Sequence, residues 1–156
     1  MESHDVVLRK TGEGRAYYEG CQTAVGLPGV AGMFALLSED EERHAEALKA
    51  QQEGVLVDLP QSRTLDGARF ILRNLAVQLS GLEQLDEELV CVSRAMDFEA
   101  ASVRLYGQLA REAQHHWEKE LYLKIAADDE MHFTLLEQMR ELLEILPEDV
   151  QDLPKH

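Results

Sequence analysis

Cysteine is scarce in this chain: Cys21 and Cys91 are the only two, and they form no Cys-x-x-Cys pair. That excludes cysteine-ligated zinc or iron and any disulfide framework, so a reducing, cytoplasmic setting is expected. Basic residues are few as well, 15 against 30 acidic ones, for a net charge of −15. Binding to nucleic acid or to an anionic membrane surface needs a basic footprint, and none is present. Low-complexity sequence is absent, and strand signals are nearly so. The first ten residues carry Glu2, Asp5, Arg9 and Lys10 and have no apolar core of a signal peptide. Long apolar runs are missing too. Gly20 to Ser38 lacks charge, but Gln22, Thr23, Gly26 and the breaker Leu27-Pro28-Gly29 interrupt it. It reads as two buried helix ends meeting at a turn rather than as a membrane span.

What is there is helix. Apolar residues make up 45% of 156 positions, enough for one folded core and too many for a disordered chain. A first helix is expected from about Val6 to Val25, and a second, amphipathic one from about Val30 to Gln52. Residues 53–62 form a connector. A shorter helix starts near Thr64 and carries Phe70, Ile71, Leu75 and Leu79, with Gly81 as an interruption. Long helices follow over about 82–113 and 117–146, and Pro147 and Pro154 mark a non-helical tail over 147–156. The reading is all-α: one domain over 1–146, two helical hairpins joined by a crossover with a short fifth helix.

Two positions place a carboxylate three residues before a histidine: Glu41 before His44, and Asp129 before His132. Residues so spaced share one helix face, where both can grip the same metal. Either pair alone is weak. Together they share a register of 88 residues, which also sets Tyr18 on Tyr106, Phe34 on Tyr122, Leu37 on Ile125 and Asp40 on Asp128. An internally duplicated hairpin is the simplest account. Geometry adds Glu99. It and Asp129 both lie fifteen residues from Gln114 in the second turn, hence about 22 Å from it along antiparallel helices. The same count in the first hairpin reaches the neighbourhood of Thr11.

In this pattern the chain resembles the rubrerythrin-type, ferritin-like di-iron carboxylate proteins, over about residues 8–145. Each hairpin of that family supplies a Glu from its first helix and a Glu-x-x-His from its second, all projecting into the bundle core. The family's first-helix Glu stands seven residues before an aromatic, as Glu99 stands before Tyr106. The resemblance implies a ferritin-like four-helix bundle with Glu41, His44, Glu99, Asp129 and His132 as metal ligands. It also implies Tyr18 and Tyr106 as hydrogen-bond partners of ligating carboxylates. Two positions depart from it. Thr11, seven before Tyr18, stands where a Glu is expected, and Asp129 stands where the second motif has Glu. Asp128 is expected to share the work of the shorter Asp129. His4 is weighed as a substitute for the missing ligand and read as frayed and exposed.

Such a donor set suits iron, di-nuclear or mononuclear, with manganese or zinc as alternatives. Four carboxylates would neutralise two divalent ions; three leave one positive charge in excess, so the second metal is expected to bind more weakly. The implied activity is reduction of hydrogen peroxide or oxidation of ferrous iron. Electrons would come from a separate donor protein, because no cysteine-ligated iron domain is present. The competing readings are a non-catalytic metal-binding or interaction module with the same fold, favoured by Thr11, and an acidic bundle without metal. Cys21 and Cys91 read as small buried hydrophobes, and His115 and His116 as a solvated hairpin tip. The many glycines of the first hairpin suggest close approach of another backbone. Its uncharged tip suggests a cover, either the 65–80 helix or a second copy in a homodimer.

Overall fold

The computed structural model describes residues 2–79 and 85–145, with side chains for all of these but 2–5, 76, 78 and 79. It has five helices: α1 (Glu2–Ala24), α2 (Pro28–Gln52), α3 (Thr64–Leu79), α4 (Asp86–Glu112) and α5 (His116–Leu143). No strand occurs among the described residues, so the all-α reading stands. None of these helices is long and apolar enough to cross a membrane. α1 packs along α2 and α4 along α5, forming two hairpins, while α3 lies against α2 and α5. The proposed break at Gly81, the side chain of His4 and the tail 147–156 lie outside the described residues.

Helix ends follow local chemistry. α2 begins at Pro28 rather than Val30, because proline at the first helical position loses no hydrogen bond and already has the helical φ. It ends in a Schellman motif. Gly54 takes φ +84°, its N–H bonds to the Gln51 carbonyl, and Val55 N–H bonds to the Ala50 carbonyl. Only a residue without Cβ enters that conformation cheaply.

The core has two apolar clusters. One holds Tyr18, Phe34, Leu37, Val92, Met96, Leu135 and Met139; the other holds Val7, Leu48, Tyr106, Tyr122 and Ile125. On each long helix a polar position lies between them: Thr11 between Val7 and Tyr18, Glu41 and His44 between Leu37 and Leu48, Glu99 between Met96 and Tyr106, Asp129 and His132 between Ile125 and Leu135. A polar layer thus crosses the middle of an apolar interior. The 88-residue register reappears in packing: Tyr18 stacks near Phe34 at 5.9 Å, and Tyr106 lies near Tyr122 at 6.2 Å between ring centroids.

Both cysteines are free and buried, and Tyr17 Oη donates to the Cys91 carbonyl across α1 and α4. The glycines behave less uniformly than expected. A Cβ on Gly14 would stand 2.5 Å from the Phe98 ring and one on Gly32 3.3 Å from Ile71, but Gly12 and Gly20 face open space. At Gly14 and Gly32 the close approach is made by a side chain. α3 covers part of the uncharged tip through Ile71 over Gly32 and Leu36 over Gly67, while Gln22, Thr23 and Gly26 stay exposed.

Candidate metal centre

Glu41, His44, Glu99, Asp129 and His132 are each at most 2% exposed. Ligand atoms of Glu41, Glu99, Asp129 and His132 all lie within 4.8 Å of one another, so these four can hold a metal ion. They come from three helices. Glu41 and Asp129 sit on the inward faces of α2 and α5, and Glu99 reaches in from α4. His44 stands just outside this group, with Nδ1 3.9 Å from Asp129 Oδ1, and its ring lies 6.3 Å from that of His132.

The outer nitrogens of the two imidazoles are held reciprocally. His132 Nε2 on α5 meets Asp40 Oδ2 on α2 at 2.7 Å, and His44 Nε2 on α2 meets Asp128 Oδ2 on α5 at 2.8 Å. Each aspartate directly precedes the carboxylate of its own helix's motif, so the pattern is Asp-Glu-x-x-His on α2 and Asp-Asp-x-x-His on α5. With Nε2 held from outside, both Nδ1 atoms are left for the layer, a common second contact of metal-bound histidine. Asp128 therefore does not share the work of Asp129; it is on the outer side and serves His44 on the other hairpin.

Around Asp40 the crossover contributes donors. Ser62 Oγ and Thr64 Oγ1 donate to Asp40 Oδ2 at 2.6 and 2.7 Å, and Arg43 Nη1 donates to Asp40 Oδ1 at 2.6 Å. Arg43 also lies 3.6 Å from Asp128, so one guanidinium joins both outer carboxylates. Burial works against the charge on Asp40, but the bonds from His132, Ser62 and Thr64 outweigh it and hold the carboxyl well below the usual range.

The inner atoms are left without partners. Glu41 Oε1, Glu99 Oε2, Asp129 Oδ1, His44 Nδ1 and the Tyr106 hydroxyl are buried and make no hydrogen bond. Buried polar atoms are nearly always satisfied, and five orphans in one layer call for a partner the polypeptide does not supply. Four of them are metal-ligating types. Burial, followed by the charges of neighbouring carboxylates, pushes Glu41 and Asp129 well above the usual carboxylate range. Burial would lower His132, but Glu99, Asp40 and Asp129 raise it well above its ordinary value. All three shifts come from crowding carboxyl groups and an imidazole into one buried layer, and the residues fit a divalent metal.

The tyrosines differ from each other. Tyr18 Oη donates to Glu99 Oε1, and burial together with the Glu99 charge keeps its hydroxyl protonated. Tyr106, expected to do the same, finds no acceptor. Thr11 is buried, but its Oγ1 turns back to the Leu8 carbonyl at 2.9 Å and offers nothing to the layer. His115 stacks on Trp117 and His116 pairs with Glu120, both at the exposed hairpin tip. Sequence reasoning missed the roles of Asp40, Arg43, Ser62, Thr64 and Ser102, whose Oγ donates to Asp129 Oδ2 at 2.6 Å. Only Asp40 and Asp128 carried a signal, the aspartate repeated before each motif. No protein-family model matches the chain, nor does any curated protein or solved structure.

Proposed function

We propose that the protein is a rubrerythrin-like, ferritin-like four-helix bundle with a two-metal carboxylate centre, acting as an oxidoreductase on hydrogen peroxide or ferrous iron. The carrying observation is the reciprocal arrangement of the histidines: each is held at Nε2 by an aspartate of the opposite hairpin and turns Nδ1 to the layer, His132 Nδ1 lying 3.3 Å from Glu99 Oε1 and the unpartnered His44 Nδ1 3.9 Å from Asp129 Oδ1. One metal position would be formed by Glu41, Glu99, Asp129 and His132, whose ligand atoms lie within 4.8 Å of one another. A second would share Glu41 and Asp129 and add His44, but it lacks a terminal carboxylate because residue 11 is threonine. Iron held there would supply reversible ferrous–ferric chemistry, the two electrons that with two protons take one peroxide to two waters. The chain's own part is to bind and orient the ions and to hold the Tyr18 hydroxyl as a donor to Glu99 Oε1. Electrons would return from a separate protein.

Anaerobic loading with ferrous iron, followed by stopped-flow mixing with peroxide, tests this. Fast growth of ferric absorption, repeated after re-reduction, is the expected result. Metal bound without turnover would favour the second reading, a non-catalytic metal-binding module, which Thr11 supports by leaving one position short of a ligand. No bound metal by elemental analysis would remove both. The same reading includes a homodimer. α3 leaves Phe70 and Val77 exposed one heptad apart, and a monomer by sedimentation at high micromolar concentration would rule that assembly out.

A further inference from the structure

The two halves of the polar layer differ at one place, and the difference leaves a donor waiting. Tyr18 of α1 donates to Glu99 of α4. The 88-residue register pairs Tyr106 of α4 with Thr11 of α1 in the same way. The residue numbers of the two pairs add to the same total, as antiparallel neighbours require. Thr11 spends its hydroxyl on Leu8, and Tyr106, 1% exposed, keeps an unpartnered hydroxyl. Beside Thr11 a cleft of about 330 Å³ opens between α1 and α2. Thr11, Gly12 and Arg15 line one wall, and Glu41, with its unpartnered Oε1, lines the other.

We propose that this cleft binds a small monocarboxylate of about the size of acetate, which takes the ligand place that Thr11 leaves unfilled. This rests on the two-metal reading above. Three chain carboxylates against two divalent ions leave one positive charge, which one carboxylate cancels. Tyr106 does not line the cleft itself, but the register sets its unpartnered hydroxyl opposite Thr11, where it would give a carboxylate that reaches past Thr11 the donor that Tyr18 gives Glu99. Access is from solvent between the helices, where Arg15 of α1 and Glu42, Glu46 and Lys49 of α2 line the cleft. Those charges nearly balance, so the walls alone do not hold an anion. The carboxylate binds only once cations are in place, since a layer crowded with carboxyl groups and walls of balanced charge give an anion no counter-charge.

The test uses the full chain loaded with two equivalents of cobalt(II), whose visible absorption reports its ligands. Acetate is titrated against chloride at constant ionic strength in a non-coordinating buffer. The wild-type spectrum should change and saturate. Thr11→Glu, which restores a carboxylate in the chain, should abolish the response. Gly12→Leu fills the cleft from a helix position whose Cβ meets no atom within 4 Å, so the fold should tolerate it. It should raise the acetate concentration at half-saturation at least tenfold. Cobalt bound with no acetate response in the wild type, or an undiminished response in Gly12→Leu, overturns the proposal and leaves the metal centre standing. Failure to retain cobalt after gel filtration removes the metal centre, and the carboxylate site with it.

Discussion

Asp40 and Asp128 look equivalent in sequence, and their surroundings make them unequal. Asp40 is buried and accepts from His132, Ser62, Thr64 and Arg43. Asp128 is about one-fifth exposed and has His44 and the more distant Arg43. Removing such an outer carboxylate typically weakens metal binding about 10–100-fold. Asp40→Asn should fall at the upper end of that range and Asp128→Asn at the lower, measured by competition with a metal indicator. Equal losses would mean that solvent at Asp128 does not soften the effect. Asp40→Asn should also lower thermal stability in the metal-free protein, because it leaves a buried imidazolium with one fewer counter-charge.

Among the elements, α1 provides a paired test of glycine. Gly12→Ala should stabilise by about 1 kcal/mol, since its Cβ enters open space and alanine is the better helix former. Gly14→Ala should destabilise by about 1–3 kcal/mol, because its Cβ would stand 2.5 Å from the Phe98 ring and force it aside. Chemical denaturation of the two variants checks both signs. From sequence these glycines look alike, because a helix pattern says nothing about which neighbour approaches. The helices themselves were legible, since apolar periodicity and the breakers at 27–29 and 53–54 are local signals. So were the five central polar residues, through spacing and the repeat. The Asp40 cage was not. Ser62 and Thr64 reach it from twenty-two and twenty-four residues away along the chain, and only the docking of α3 sets that meeting. Nor was the idle Tyr106 hydroxyl legible, since it depends on where the Thr11 side chain turns.

For the whole molecule, the crowded carboxylates give stability a pH dependence whose sign can be worked out. Glu41, Asp129 and His132 all have pKa values raised by folding. A group of that kind stabilises fully below its unfolded pKa, and the contribution is lost as pH climbs through the folded one. The loss begins above the ordinary values, 4.5 for Glu41, 3.8 for Asp129 and 6.5 for His132. Asp40 runs the other way. Its pKa is lowered, so its contribution is intact above 3.8 and lost only in stronger acid. The metal-free protein should therefore melt at a lower temperature at pH 8 than at pH 5, followed by circular dichroism. Glu41→Gln should flatten the trend. Divalent metal should reverse it, because binding displaces those protons and strengthens as pH rises. A metal-free midpoint that rises from pH 5 to pH 8 would contradict the assignment of buried protons.

The crossover between the hairpins is more than a strap. Ser62 and Thr64 belong to it, and through Asp40 they govern the aim of an imidazole two helices away. A circular permutant opened at the exposed Val55–Leu56 bond would keep every helix and every ligand in the chain, yet would untether one end of that cage. Its helicity should match the parent while its hold on metal loosens, which makes backbone continuity itself a determinant of the centre's affinity.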